Sequence, residues 1–365
     1  MHIQLSREEL LKPLSHVAGV VERRQTLPIL SNVLLRMQDG RLQLTGTDLE
    51  IELVAEITLA AKEGGAATVP ARKLYDICRA LPAQAELEIA TDGDKARVRS
   101  GRSRFTLATL PAGEFPSVEG GDWQDRIEVS QQELKRLFDR THFCMAHQDV
   151  RYYLNGLLLE LDGALLRAVA TDGHRMAISE MGLPSGAGNR QAIVPRKGIL
   201  EITRFLTPSE DSATISLSAN HIRVSVGDMT LTSKLIDGRF PDYQQVLPTS
   251  YRRIVRVGRS ELREALGRAA ILANEKYRGV RLSVAPGVLT LTAHNPEQEE
   301  AQEELSIEYD GEELEVGFNV TYVVEALGGL ESKEIELGIN DPHSSCALQA
   351  SDEKATQYIV MPMRL

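Results

Sequence analysis

Apolar residues recur at helical spacing near the start of the chain and again far downstream. Leu10, Leu14, Val17, Ala18 and Val21 fall on one face of a 3.6-residue period, as do Leu262, Ala265, Leu266, Ala269, Ala270 and Ala273. Alternating or β-rich runs predict strands at 41–44, 51–57, 86–89, 97–99, 105–107, 213–217, 221–226, 288–292 and 334–339.

These elements repeat at about one third of the chain. Leu5-Ser6-Arg7-Glu8-Glu9-Leu10 resembles Val129-Ser130-Gln131-Gln132-Glu133-Leu134, with a looser copy at 257–262. Ser6 with Glu9, and Ser130 with Glu133, fit the reciprocal cap of a helix start, whereas the third copy has Gly258 there. Leu44-Thr45-Gly46-Thr47-Asp48 matches Val169-Ala170-Thr171-Asp172-Gly173, and Leu291 to Asn295 holds the same place. Thr68-Val69-Pro70-Ala71-Arg72-Lys73 matches Ile193-Val194-Pro195-Arg196-Lys197-Gly198, and Gly317 to Tyr322 is the third copy without the Pro. A proline there suits a helix start, because its missing N–H would have had no partner. Each third reads helix, strands, helix, strands. Polar joints near 117–125 and 244–251 put three domains at 1–120, 126–246 and 250–365. So long a period is a triplicated domain, not a short-repeat solenoid.

Composition narrows the class. The chain has 365 residues, 42% hydrophobic and 25% charged, which is globular, and a net charge of −11, which argues against a surface coated in basic groups. No apolar run reaches the roughly 18–20 residues of a membrane helix, and the first residues lack the apolar core of a signal peptide. Cys78, Cys144 and Cys346 form no C-x-x-C pair. The expectation is a soluble protein of the reducing cytoplasm.

Catalytic patterns are weak. There is no G-x-x-x-x-G-K-[ST], and the glycine-rich 185–188 stretch has no helix after it. His142 and His147 lack metal-ligand spacing, and no H-E-x-x-H occurs. Asp172, His174 and Arg175 with nearby Ser179 lack a G-x-S-x-G elbow, so Asp172-Gly173 reads as a tight turn or a binding surface. The acidic stretch 295–315 reads as a solvated edge or a face for a basic partner. Basic residues recur on the expected helices: Arg7, Lys12, Arg72, Lys73, Arg79, Lys135, Arg136, Arg140, Arg196, Lys197, Arg204, Arg263 and Arg268. Facing one channel, they would form a diffuse positive lining for sequence-independent phosphate contact. Aromatic residues are only 5%, so base stacking is not indicated.

Several blocks taken together resemble the bacterial β sliding clamp family, the processivity subunits of replicative DNA polymerase. They are the 26–30 run TLPIL, the 147–156 run HQDVRYYLNG, the 170–175 run ATDGHR, IVPRK at 193–197, DGRFPDY at 237–243, NPEQEEA at 295–301 and the terminal MPMRL. The resemblance spans the whole chain. It implies an α+β fold of three similar clamp-type domains, helices lining a central hole, antiparallel sheets on the rim, and a head-to-tail homodimer. It implies no catalytic residue, no metal and no cofactor.

By the same resemblance, Arg24, His147, Gln148 and Tyr153 would contact duplex DNA, joined by Lys73, Arg79, Arg196 and Lys197. Lys73, Ile77, Phe105 and Leu107 would form one dimer edge, and Ile271, Leu272, Glu299 and Glu303 the other. A peptide groove would be lined by Leu154, Thr171, Gly173, His174, Arg175, Met176, Pro241, Gln245, Val246, Val360, Met361, Pro362, Met363 and Arg364. Short Leu- or Phe-anchored motifs of the polymerase III alpha subunit, clamp-loader subunits, other polymerases and repair proteins would enter it. Gln245 stands where a relative carries Arg, and Met176 where Leu is frequent, so the rim has one cation fewer. Two readings from other classes are a three-domain enzyme centred on Asp172 and His174, and a peptide-binding scaffold unrelated to DNA.

Overall fold

The computed structural model describes residues 1–22, 27–59, 63–118, 121–184 and 186–364. The chain is three copies of one α+β plan. The first contains β1 (His2–Ser6), α1 (Arg7–Val20), β2 (Asn32–Gln38), β3 (Arg41–Thr47), β4 (Ile51–Thr58), β5 (Gly65–Pro70), α2 (Ala71–Ala80), β6 (Glu86–Asp92), β7 (Lys95–Ser100) and β8 (Ser103–Ala108). The second contains β9 (Asp125–Ser130), α3 (Gln131–Asp139), β10 (Gly156–Asp162), β11 (Leu165–Thr171), β12 (Arg175–Gly182), β13 (Arg190–Pro195), α4 (Arg196–Phe205), β14 (Ser212–Leu217), β15 (His221–Val226) and β16 (Met229–Lys234). The third contains β17 (Arg253–Gly258), α5 (Arg259–Ala269), β18 (Gly279–Ala285), β19 (Val288–His294), β20 (Glu300–Ser306), β21 (Leu314–Asn319), α6 (Val320–Gly328), β22 (Glu334–Ile339), β23 (Cys346–Ala350) and β24 (Thr356–Val360).

Local chemistry explains these elements. The Ser6 hydroxyl accepts from the Glu9 N–H at 3.2 Å while the Glu9 carboxylate accepts from the Ser6 N–H at 2.8 Å, which closes the cap of α1. Ser130 accepts from the Glu133 N–H in the same way at 3.2 Å. The α1 face of Leu10, Leu14 and Val17 is fully buried, on β3 and β4. Gly46 permits that approach, since a Cβ there would lie 2.7 Å from Val17 Cγ1. In β4 the alternation buries Ile51, Leu53, Ala55 and Ile57.

Periodicity foresaw fewer strands than the chain has. Each repeat opens with a strand that runs straight into its first helix, and β20 lies inside the acidic stretch, with β21 starting at its end. The expectation of a solvated edge there is met in part, because β20 ends its four-stranded sheet with charged side chains exposed.

Strand pairing ties the repeats together. By packing, the chain divides into two compact units, Met1–Lys135 with Lys197–Leu235, and Arg136–Arg196 with Ile236–Leu365. In the first unit one sheet runs β5-β2-β3-β4-β16-β15-β14-β9, so β4 of the first repeat pairs with β16 of the second. In the other unit a sheet runs β13-β10-β11-β12-β24-β23-β22-β17, so β12 pairs with β24. The register is the same at both joints: Val54 opposes Thr230, and its counterpart Ile178 opposes Gln357. Two half-sheets of four strands remain, β1-β6-β7-β8 and β20-β19-β18-β21, with β8 and β20 as open edges among the described residues. No helix of the described residues is long and apolar enough to cross a membrane.

Candidate peptide groove and DNA-facing residues

A turn joins β11 to β12. Asp172 Oδ1 accepts from the N–H groups of His174 and Arg175 at 2.9 and 3.0 Å, and Gly173 takes φ +88°. Thr171 Oγ1 donates to the Arg175 carbonyl at 2.6 Å and accepts from the Gly173 N–H at 3.0 Å. The Arg175 side chain is then fixed from several sides. It donates to Asp172 Oδ2 at 3.0 Å and to the Phe143 carbonyl at 2.8 Å, and pairs with Glu325. Its guanidinium also lies 4.5 Å from the Tyr322 ring centroid. Asp172 and Arg175 thus hold a turn.

Above this turn is a cavity of about 200 Å³. Of the residues expected from the sequence, Leu154, Thr171, Gly173, Arg175, Met176, Pro241, Val246 and Met361 line it. Its floor is apolar and buried, with Leu154 and Met176 2% and 4% exposed, while Val246 and Met361 at the rim are 43% and 36% exposed. The Met361 N–H donates to the His174 carbonyl at 2.9 Å, which hangs the tail on the groove wall.

The other expected groove residues lie elsewhere. His174 contributes its carbonyl rather than its ring. Gln245 is exposed and donates to Asp242 Oδ2 at 2.9 Å. Val360 is buried in β24, opposite Arg175. Pro362 is half-buried outside the lining. The Met363 N–H donates to the Gly317 carbonyl at 2.8 Å, so the tail turns away, and Met363 and Arg364 line a separate cavity.

Sequence reasoning missed Arg151, Phe240, Asp242, Tyr243 and Ile359, all of which line the groove. Ile359 enters only because it opposes Met176 across the repeat joint. Phe240 and Tyr243 had a signal in the chain, since Gly238-Arg239-Phe240-Pro241-Asp242-Tyr243 matches Gly113-Glu114-Phe115-Pro116-Ser117-Val118. Tyr243 anchors this wall: its hydroxyl donates to Glu160 Oε2 at 2.8 Å, and Glu160 also binds Arg167 at 2.7 Å. Burial, with the Glu160 carboxylate beside it, pushes the Tyr243 phenol above its ordinary range.

The expected DNA-contact loop borders the same groove. Asp149 and Asn155 close it through two hydrogen bonds of 2.9 Å, and Gln148 sits at φ +57°. Arg151 grips Asp149 with two bonds, 3.0 and 2.9 Å, and donates to the Asp172 carbonyl at 3.2 Å. That grip holds the Asp149 carboxyl down at about 2. His147 and Gln148 are exposed, Val150 is 95% exposed, and half-buried Tyr153 packs edge-on to Tyr152. Arg24 lies outside the described residues.

The helix cations differ in availability. Lys73 and Arg79 are exposed on α2. Arg196 donates to the Met145 carbonyl at 3.2 Å. Lys197 donates to the Val20 carbonyl at 3.1 Å and to Glu22 at 2.9 Å, and pairs with buried Asp48. Lys197, expected from the resemblance to contact DNA, is thus paired with two carboxylates here. Of the expected dimer residues, Ile271 is 76% exposed, Lys73 and Glu299 are exposed, and Ile77, Phe105 and Leu272 are half-buried. Leu107 is buried, and Glu303 pairs with Arg268 at 2.7 Å. No group of three or more metal-ligating side chains converges among the described residues.

Profiles of the DNA polymerase III beta subunit match three consecutive stretches: its N-terminal domain at 1–119, its central domain at 128–242 and its C-terminal domain at 244–364. The chain belongs to the DNA polymerase III beta subunit family. The Beta sliding clamp of Pseudomonas putida is 54% identical over 367 residues, covering 100% of both chains, and that of Escherichia coli K12 is 50% identical over 368. Among solved structures, a sliding clamp from Pseudomonas aeruginosa bound to griselimycin superposes with a TM-score of 0.97 at 52% identity, each chain fully covered. The pol III beta of Caulobacter crescentus gives 0.94 at 40% identity, also over 100% of both chains.

Proposed function

We propose that two copies of this chain close head to tail into a ring around duplex DNA, and that the ring tethers the replicative polymerase. It works by topology in the cytoplasm, without catalysis, metal or cofactor. Its three domains span 1–120, 126–246 and 250–365. The observation that carries this reading is the unfinished sheet at each end of a pattern completed twice. Where β4 meets β16 and β12 meets β24, a half-sheet of one repeat is extended by the next. Of the remaining sheet ends, β20 and β8 are the counterparts of the joined strands and stand in the same relation, so two chains satisfy both.

The internal joints also supply a register. Counterparts of the Val54–Thr230 and Ile178–Gln357 pairs set Gln302 opposite Arg104, which puts Glu304 opposite Arg102, Glu303 opposite Ser103 and Ala301 opposite Phe105. The acidic β20 edge meets a basic β8 edge. The buried pairs Leu53–Leu231 and Ala177–Tyr358 correspond to Ala301–Phe105, whose ring is half-buried until the ring closes. Ile271 and Leu272 add apolar contact on the β20 side, with Ile77, Leu107, Lys73 and Glu299 around the joint. Changing both Ile271 and Leu272 to Ala yields a folded monomer.

Inside the ring, Arg24, Gln148, His147, Tyr153, Lys73, Arg79, Arg196 and Lys197 touch phosphate and sugar weakly, which leaves the ring free to slide. The acidic total charge limits braking. The groove takes short Leu- or Phe-anchored motifs of the polymerase III alpha subunit, clamp-loader subunits, other polymerases and repair proteins, which therefore compete. Retention on closed circular DNA with release on linearisation is the test. Release from circles and linear DNA at equal rates would overturn the ring.

A further inference from the structure

The third repeat holds a second cavity, of about 420 Å³, twice the volume of the groove, whose cavity is about 200 Å³. Strand registers identify it. Gly156 opposes Pro195 and Gly279 opposes Asn319, while Thr171 and His294 end the paired strands β11 and β19. By those registers the lining residues Asn274, Tyr277, His294 and Pro296 are the counterparts of the groove residues Arg151, Leu154, Thr171 and Gly173.

The difference lies in what covers this place in each repeat. In the first, Leu110 bridges to Thr68, and the chain continues into a segment containing Phe115-Pro116, whose Val118 N–H binds Glu52 at 3.1 Å. In the second, the Ile236 N–H donates to Ile193, and the chain continues into Phe240-Pro241. Phe240 is 6% exposed and belongs to one buried apolar cluster with Leu154, Leu158 and Val169. In the third, the Met363 N–H donates to the equivalent Gly317 carbonyl. Here the described residues supply no aromatic-proline segment, and the space stays open between Tyr277, Thr292 and Met363.

We propose that this cavity binds a short peptide from a protein partner that presents an aromatic residue followed by proline, seated as Phe240-Pro241 is seated in the second repeat. The aromatic ring packs against Tyr277 and Met363, and the proline keeps the peptide extended past Pro296. The inference stands on the cavity and the repeats; the cavity borders the edge at which the proposed ring closes, since the Glu299 N–H donates to the lining residue Asn295 at 2.9 Å. It adds a docking point separate from the groove.

The test uses the full chain and fluorescently labelled acetyl-Gly-Arg-Phe-Pro-Asp-Tyr-amide, read by anisotropy. Saturable binding is expected, at least tenfold weaker when the peptide Phe is Ala and when Thr292→Trp fills the cavity, and not displaced by a Leu-Phe motif peptide that occupies the groove. A second measurement needs no variant: with benzoylphenylalanine in place of the Phe, cross-links map to Tyr277–Gly279 and Thr292–Pro296. Absence of saturable binding at millimolar peptide, displacement by the groove motif, or cross-links at Leu154 and Val246 would each overturn the proposal.

Discussion

If the ring closes in the register of the two internal joints, a Ser103→Cys, Glu303→Cys double variant cross-links between chains. Directly opposed residues of antiparallel strands hold their Cβ atoms about 4.5–5.5 Å apart, close to the roughly 3.5–4.5 Å of a disulfide. A slip of one residue moves the partner about 3.3 Å and turns its side chain to the other face. The control pair, Ser103→Cys with Glu304→Cys, is offset by that one residue and should cross-link at least tenfold more slowly. The native thiols do not interfere. Cys78, Cys144 and Cys346 are at most 2% exposed, and burial pushes Cys78 up to about 11 and Cys346 up to about 12. Replacing Glu303 removes only a solvent-facing pair with Arg268, so the fold is retained. Mild oxidation followed by non-reducing gels reads the dimer, and oxidation on nicked circular DNA yields complexes that survive detergent. Faster cross-linking of the offset pair, or none in either variant, would refute the transferred register.

Three further outcomes follow from the groove and its neighbouring loop. Deleting the chain from Met361 onward removes the hydrogen bonds to His174 and Gly317 and abolishes motif-peptide binding by calorimetry, while the dimer and its thermal stability stay largely intact. Tyr243→Phe removes a hydrogen bond to the half-buried Glu160–Arg167 pair and should cost about 0.5–1.5 kcal/mol in denaturant unfolding, with weaker peptide binding; an unchanged unfolding midpoint counts against the anchoring role. Because Asp149 titrates at about 2, below an unfolded value of roughly 4, its stabilising pairing with Arg151 is full above pH 4 and is lost as pH falls through about 2. Carboxyl NMR checks this, and a midpoint near 4 would refute the grip.

The sequence by itself determined the triplication and the local devices that build it. Helix caps at Ser6 and Ser130 and the Asp172-Gly173 turn involve residues within four positions of one another, so their chemistry is visible in the chain. Most of the groove floor was legible through a family resemblance carried by contiguous blocks. Only the tertiary structure decided how the repeats join. The β4–β16 and β12–β24 pairings bring together residues some 180 positions apart, and backbone hydrogen bonds carry no side-chain signature. Hence Ile359 was invisible as a groove residue, and Met361 and Met363, two apart, face different cavities because of one hydrogen bond each. The pairing of Lys197 with Asp48, far away in the chain, was likewise visible only in the fold. β20 escaped the periodicity for a related reason: its sheet ends there, its charged residues stay in water, and the alternation that marks a buried strand is half erased.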